Sequence, residues 1–531
     1  MSVEAIRLKN FMAFQDTDWI ELRPITLLFG KNSSGKSVIG RALRLLKQSL
    51  EAETGSGPFV YATRRGVDVG DFGTMIHVSP SSPEWTKPVV FAFRCQLVGT
   101  LDSLIRLVNQ QRRREGLPAI PASQAQDQVE LWLQYEWNDE LEQAWLTELE
   151  IAYPQPYTKQ HPRLIIFAAY RLDYRVATEG QDEWWFRSDI LHGHEVDADS
   201  AWAGSRIELV SGFLPALATL EVTLRSSMAS SDDLRFVVAL LRELRQTVEQ
   251  FLQRTDYLGP LRPEPEREFV FDAQRIRDWQ GSGLRGYLRY LSGEVDQAVM
   301  GEVDRWLQAV GLCHRARPVT FYSFPERALV AGVDIHEEEK EEPRNLADTG
   351  FGLSQALPVI IQCLASDGDS TLLIEQPELH LHPSAQATLT DLFIARAGRV
   401  RRLIREREER RLPPPPPEEI ESLKVRFLVE THSEHVLLRL QRRIAESTQR
   451  SIPQTGQSFI VADDVAIYFV HRKDGVSQML PAQPDSLGEI ELPAAFRDFF
   501  ADDVREVALL AGARLGLDLM TDEERKDASS S

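Results

Sequence analysis

Cysteine is scarce. Cys95, Cys313 and Cys363 are the only three in 531 residues, scattered and without the spacing of a metal site. A disulfide scaffold is excluded, and the three read as buried, inert thiols of a reducing interior. Net positive charge is lacking as well. The 60 Lys and Arg face 80 Asp and Glu, a formal net charge of −20, so a uniformly basic coat for nucleic acid is excluded and any such contact needs a local patch. No stretch approaches the roughly 20 apolar residues that cross a bilayer. The opening MSVEAIRLKNF lacks the charged-then-apolar build of a secretory leader, and the expectation is a cytoplasmic protein with no membrane contact. Internal repeats are missing, and no heptad persists long enough for a protruding coiled coil.

What is present is length and clear periodicity. A chain of 531 residues exceeds one compact core, so two or three domains are expected. Ile6 and Leu8 share one face of a first strand, the chain turns through Asn10, Phe11 and Phe14, and Ile25 to Phe29 form a second, buried run. A helix is predicted from near Lys36, with Ile39, Leu43 and Leu46 at helical spacing. From about 86 to 188 short period-two runs dominate, clearest in Val129, Leu131, Leu133, Tyr135 and Trp137, which predicts an antiparallel sheet interrupted by a polar loop at 111–128. Between 197 and 255 helical spacing takes over. Phe236, Leu240, Leu244, Val248 and Phe251 follow the capping candidates Ser231 and Asp232, as in a helical lid packed on the core. Residues 371–374 and 425–429 are short, apolar and β-prone, as central parallel strands are. Five consecutive prolines, 413 to 417, predict an exposed polyproline connection.

One segment carries explicit chemistry. Gly30, Lys31, Asn32, Ser33, Ser34, Gly35, Lys36 and Ser37 match the phosphate-binding pattern G-x-x-x-x-G-K-[ST], placed between a buried strand and a helix as the pattern requires. The glycines let backbone N–H groups curl around phosphates where the helix N-terminus also favours negative charge. Lys36 is expected to reach the β and γ phosphates of ATP, and Ser37 to ligate Mg²⁺. Three later segments follow. Residues 348–355, Asp-Thr-Gly-Phe-Gly-Leu-Ser-Gln, precede an apolar helix-like run; Leu372 to Pro383 read LLIEQPELHLHP; Leu428 to His435 read LVETHSEH.

In order and content these segments resemble the ATPases of the RecF, SMC and overcoming-lysogenization-defect (OLD) group. They are most similar to a bacterial subgroup that ends in a small domain of unknown function. The run Tyr257 to Arg262, the run Leu487 to Pro493 and Phe499-Phe500 resemble that subgroup too, so the likeness covers roughly 1–50 and 256–510. It implies an α/β fold: a P-loop ABC-type ATPase head with a mixed central sheet, an antiparallel β plus helical insertion, and a small C-terminal α/β extension. The matching division is 1–85 and 256–440 for the two ATPase halves, 86–255 for the insertion and 441–531 for the extension.

The resemblance also assigns roles. Glu375 stands where the Walker B acid holds Mg²⁺ through water, and Gln376 where the usual catalytic glutamate polarises the attacking water. Glutamine orients water but cannot accept its proton, so turnover is expected to be slow unless Glu378 or a partner subunit supplies the base. His432 matches the switch histidine at the γ-phosphate, with Thr431 and Ser433 beside it, and His382 falls at the D-loop aspartate position. Either Thr349 or Ser354 is the signature hydroxyl donated across a dimer. On this likeness the chain is an ATPase that closes around ATP as a homodimer or higher oligomer and controls a separately encoded effector or nuclease, in bacterial anti-phage defence. A Toprim nuclease in the same chain is not expected, because no paired acidic pattern follows His432.

Alternatives stay open. A RecF-like DNA-repair ATPase fits the same motifs, and a nucleotide-locked scaffold with little turnover fits Gln376. His380, His382, His432 and His435 with Glu378 could be assembled on paper into a metal site. The eight arginines between 396 and 411 either grip nucleic-acid phosphates or form a solvated helix.

Overall fold

The computed structural model describes residues 2–51, 57–63, 66–77, 87–96, 128–152 without 140 and 141, 231–262, 264–271, 284–323, 328–338, 342–448 and 460–496, with only isolated segments elsewhere. The polar stretch expected as a loop at 111–128 lies outside these apart from Arg113 and Gln128, and so do Phe499 and Phe500.

Strands Ile25–Gly30, Ser370–Glu375 and Val425–Thr431 are buried at every position. Continuous apolar runs of this kind suit parallel strands covered on both faces. Five strands lie parallel in the order Val465–Lys473, Ile25–Gly30, Val425–Thr431, Ser370–Glu375, Thr255–Leu258. Their side chains alternate between two cores, as the period of two requires. Leu28, Leu373 and Leu428 face the helix Ser37–Glu51 with its buried Ile39, Leu43 and Leu46. Leu27, Phe29, Ile374 and Val429 face the other way, against helices Phe351–Ala365, Pro383–Ala397 and Glu434–Thr448.

The sheet continues as an antiparallel part. Strand Ser2–Phe11 pairs with Val89–Gln96, which pairs with Gln128–Asn138 and then Gln143–Ala152. The two parts join where Phe14, in the short strand Phe14–Asp16, registers with Ser477 in Val476–Pro481. Helix Ser231–Gln253 covers the inner face of the antiparallel part with Leu240, Leu244, Val248 and Leu252. The architecture is therefore the expected α/β fold with a mixed central sheet. Among the described residues, no helix is long and apolar enough to cross a membrane.

Three details depart from the sequence reading. Val129, Leu131, Leu133 and Tyr135 are buried, but Trp137 at the strand end is 43% exposed and packs on Phe72. Pro415 is buried within the otherwise exposed proline run, and Pro417 opens a short helix, Pro417–Leu423, as its fixed φ allows at a first helical position. The segment Val465–Lys473, assigned to a C-terminal extension, lies inside the central sheet beside the P-loop strand. Ile467 and Phe469 enter one core and Ala466, Tyr468 and Val470 the other, which is a central-strand pattern.

Candidate nucleotide-binding site

The functional loops gather at the C-terminal ends of the parallel strands, where open α/β sheets bind ligands. Gly35 has φ 104° and Ser33 φ 59°, so the chain makes its tight turn in the left-handed region that favours glycine. The turn is backed by the hairpin of Val465–Lys473 and Val476–Pro481. A Cβ on Gly30 would lie 2.5 Å from the Val470 carbonyl oxygen, and one on Gly35 would lie 2.7 Å from Ser477 Oγ. Ser477 is buried, and its hydroxyl donates to the Ser34 carbonyl at 2.6 Å. Lys31, Asn32 and Ser33 are exposed on the open side.

Lys36 is only 4% exposed. Its Nζ donates to the carbonyls of Gly30 at 2.9 Å and Lys31 at 2.8 Å and stands 3.9 Å from Glu430 Oε1. Burial pulls its pKa down, opposed by the carboxylates of Glu430, Glu378 and Glu375. Ser37 begins the helix Ser37–Glu51 and donates from Oγ to Glu430 Oε1 at 3.2 Å. Ser34 Oγ is buried without a partner. A buried ammonium folded onto its own loop, an orphaned hydroxyl and a helix N-terminus suit a nucleotide phosphate with its cation.

Three acids surround this loop. Glu375 and Glu430 end adjacent parallel strands in direct register. Glu375 accepts a hydrogen bond from the Tyr257 hydroxyl, and Arg44 stacks over the Tyr257 ring at 3.9 Å. Arg262 is buried and donates to the carbonyls of Glu375 at 2.9 Å and Gln376 at 3.1 Å, clamping the strand end; burial pushes its pKa down to about 10. Gln376 sits at φ 47°, its N–H donating to the Glu430 carbonyl at 2.7 Å. Glu378 accepts the backbone N–H of His432 at 2.7 Å through Oε1, while its buried Oε2 has no partner. Burial raises the pKa of Glu375 and Glu378, and raises Glu430 to about 7, where the charge of Glu375 adds to it.

His432 is half-buried, and its ring hydrogen-bonds the Gly30 backbone. Burial, then the nearby Lys36 charge, lowers its pKa to about 4, so the ring is neutral at pH 7. Thr431 Oγ1 accepts the Ser433 N–H at 3.0 Å, and Ser433 Oγ reaches Gln386 Oε1 at 2.5 Å. The other histidines stay apart. His380 is exposed and edge-on to Phe351, His382 caps helix Pro383–Ala397 by accepting from Ser384, and His435 is exposed. No group of three or more His, Cys, Asp or Glu among the described residues could hold a metal, so the paper cluster with Glu378 does not assemble.

The two signature hydroxyls differ. Ser354 is 2% exposed, and its hydroxyl donates back to the Phe351 carbonyl at 2.8 Å, so it is not presented to a partner. Thr349 is half-buried beside the exposed helix cap Gly350, its hydroxyl on the Leu346 carbonyl at 2.7 Å. Gly352 lets this helix start abut the turn after Glu378: a Cβ there would lie 2.9 Å from the His380 carbonyl oxygen. The arginine stretch is largely engaged within the protein. Arg396 is buried on the carbonyls of Cys363 and Ser366, Arg399 pairs with Glu302, Arg401 with Asp464, and Arg407 with Glu419.

The structure adds Glu430, Tyr257, Arg262 and Ser477 to the site. The first three lie in runs that the sequence marks as family-like, and their acidic, hydroxyl and guanidinium chemistry was the available signal. Ser477 carries none, since a lone serine in a strand is ordinary.

Residues 199–439 match the family model described as "AAA domain, putative AbiEii toxin, Type IV TA system". The span takes in Glu375, Glu378, Glu430 and His432 and leaves the loop at 30–37 outside it. No curated protein matches the chain. Among solved structures the chain is similar to an SMC head bound to the C-winged helix domain of ScpA, at 12% identity over 91% of this chain and 98% of that one, TM-score 0.39. It is also similar to the SMC head domain from Thermotoga maritima, at 9% identity over 91% and 99%, TM-score 0.35. A third is an Smc head domain with an extended coiled coil bound to the C-terminal domain of ScpA derived from Pyrococcus furiosus, at 12% identity over 95% and 99%, TM-score 0.35. Residues 199–439 are thus similar to an AAA domain, and the fold packs that stretch beside the strand that leads into the loop at 30–37.

Proposed function

We propose that the chain binds Mg²⁺-ATP in the loop at 30–37, hydrolyses it slowly, and uses the bound state to close around nucleotide with a second copy and control a separate effector. The observation that carries this reading is Gln376. Arg262 and the Glu430 carbonyl hold its backbone at the strand end, where its amide can orient a water but cannot take its proton. Glu378 is the base best placed to compensate, because one of its oxygens is buried and unpartnered while the other holds the backbone of the switch histidine. His432 is tied to the loop by its hydrogen bond to the Gly30 backbone, and an incoming phosphate charge would oppose the Lys36 charge that helps keep the ring neutral, so base and sensor would respond together to the γ-phosphate. Thr349 is the hydroxyl we assign to the partner's nucleotide, and Lys36, Ser37 and Glu375 complete the set.

Steady-state hydrolysis tests this. Slow turnover is expected, lost in Lys36→Ala and in Glu378→Gln; robust turnover that ignores Glu378→Gln and Gln376→Ala would overturn it. Closure is tested by mass in solution with a non-hydrolysable ATP analogue, where Thr349→Ala should lower the dimer fraction. The family model's description names a putative toxin of a type IV TA system, and the likeness of the sequence motifs to the OLD group is what points to anti-phage defence. Unchanged phage sensitivity in cells lacking the gene would remove that part. A nucleotide-locked scaffold is favoured by the same Gln376 and predicts a stable assembly with no measurable turnover. A RecF-like repair role predicts DNA-stimulated hydrolysis, and the internal pairing of the 396–411 arginines gives it less support.

A further inference from the structure

Two carboxylates compete for the place beside the P-loop serine. Glu375 occupies the Walker B position, yet its carboxylate is taken by the Tyr257 hydroxyl and lies over the next turn of the helix: a Cβ on Gly40 would sit 3.2 Å from Glu375 Oε1. Glu430, one strand nearer the loop, is the acid that touches Ser37. It is 6% exposed, accepts the Ser37 hydroxyl at 3.2 Å and stands 3.9 Å from Lys36 Nζ. Nearby, Glu378 keeps one buried oxygen without any partner.

We propose that Glu430, rather than Glu375, is the positioning carboxylate for Mg²⁺ at this P-loop. A serine hydroxyl has one hydrogen and two lone pairs. When Glu430 accepts the hydrogen, both lone pairs of Ser37 Oγ are left for a cation. Mg²⁺ keeps several waters and uses few protein carboxylates, so an acid fixed beside the serine acts through those waters. Outer partners of this kind orient a ligand and hold it in the right protonation state. Glu375 is then an anchor: with Tyr257 and Arg44 it ties the strand Ser370–Glu375 to the helix Ser37–Glu51. This inference rests on the reading that the loop takes Mg²⁺-ATP.

The test is the Mg²⁺ dependence of nucleotide binding, followed with a fluorescent ATP analogue in the full chain, with Mn²⁺ occupancy by EPR as a second readout. Wild type should bind weakly in EDTA and tighten as Mg²⁺ is added. Glu430→Gln preserves shape and, by removing an acid close to where phosphates would lie, should not weaken binding in EDTA, while it should raise the Mg²⁺ half-saturation at least about tenfold. Ser37→Ala should do the same, and the double variant should be no worse than the poorer single, because the two act as one unit. Glu375→Gln should shift the half-saturation less than Glu430→Gln does. The inference is overturned if Glu375→Gln produces the larger shift, or if the Ser37 and Glu430 effects simply add. If wild type binds no nucleotide with or without Mg²⁺, the nucleotide reading falls, and this inference falls with it.

Discussion

Around the loop at 30–37, Lys36, Arg262, Glu375, Glu378 and Glu430 are all buried, whereas on the antiparallel part Arg7, Lys9 and Arg94 stay partly exposed, each beside a carboxylate and over a tryptophan ring. Arg7 pairs with Asp16 at 2.7 Å, Arg94 with Glu130 at 2.8 Å, and Lys9 lies 4.8 Å from the Trp132 centroid. One continuous sheet thus treats charge in two ways. At the surface a cation beside an acid and an aromatic ring adds modest stability and keeps most of its hydration. In the core, crowded carboxylates around one ammonium carry a desolvation cost that hydrophobic residues would avoid. Such a cluster marks a ligand site more than a stabilising device.

Three changes should break or sharpen that contrast, the largest first. Lys36→Ala should reduce hydrolysis by at least about a hundredfold, the scale of losing a preorganised charge donor. The buried acids lose their nearest cation, so the melting temperature should fall too, and differential scanning fluorimetry beside the activity assay would check that the protein stays folded.

The second concerns pH. The Glu430 pKa is raised from an ordinary 4.5 to about 7, so folding favours its neutral form. The stability this contributes is complete below pH 4.5 and is lost as pH rises through 7. Above that the folded protein carries an ionised buried acid. Glu430→Gln should therefore raise the unfolding free energy relative to wild type more at pH 8 than at pH 5, by on the order of 1–2 kcal/mol in denaturant titrations. An equal effect at both pH values would refute the burial argument.

The smallest effect belongs to the antiparallel part. Lys9→Met should cost under about 1 kcal/mol, the worth of an exposed cation–π contact, and leave ATP affinity unchanged by titration. A large loss of affinity there would mean that the two parts are not distinct.

The central strands and the loop were legible in sequence because physics leaves them few options. Ile25 to Phe29 read as a buried strand, and the glycine spacing around Gly35 called for the tight turn that the structure shows there. The helix with Leu240, Leu244 and Val248 was equally clear from its spacing. What escaped was tertiary. Glu430 had no role assigned within the run LVETHSEH, and only strand order sets it on Ser37. Ser354 looked like a signature hydroxyl, and only packing shows it turned into its own helix. The strand Val465–Lys473 falls in the stretch assigned to a C-terminal extension, yet it pairs with Ile25–Gly30, because position in the chain says nothing about position in the sheet. Ser477 could not have been picked at all: its role is a contact with Ser34 across more than 400 residues.

We propose an ATP-bound state that outlives a typical catalytic cycle because Gln376 cannot serve as base. The direct measurement is a single-turnover assay of bound, γ-labelled ATP, comparing wild type with Gln376→Glu. A slow decay that shortens by about tenfold or more in Gln376→Glu is predicted. Rapid decay in wild type, unchanged by that substitution, would contradict it.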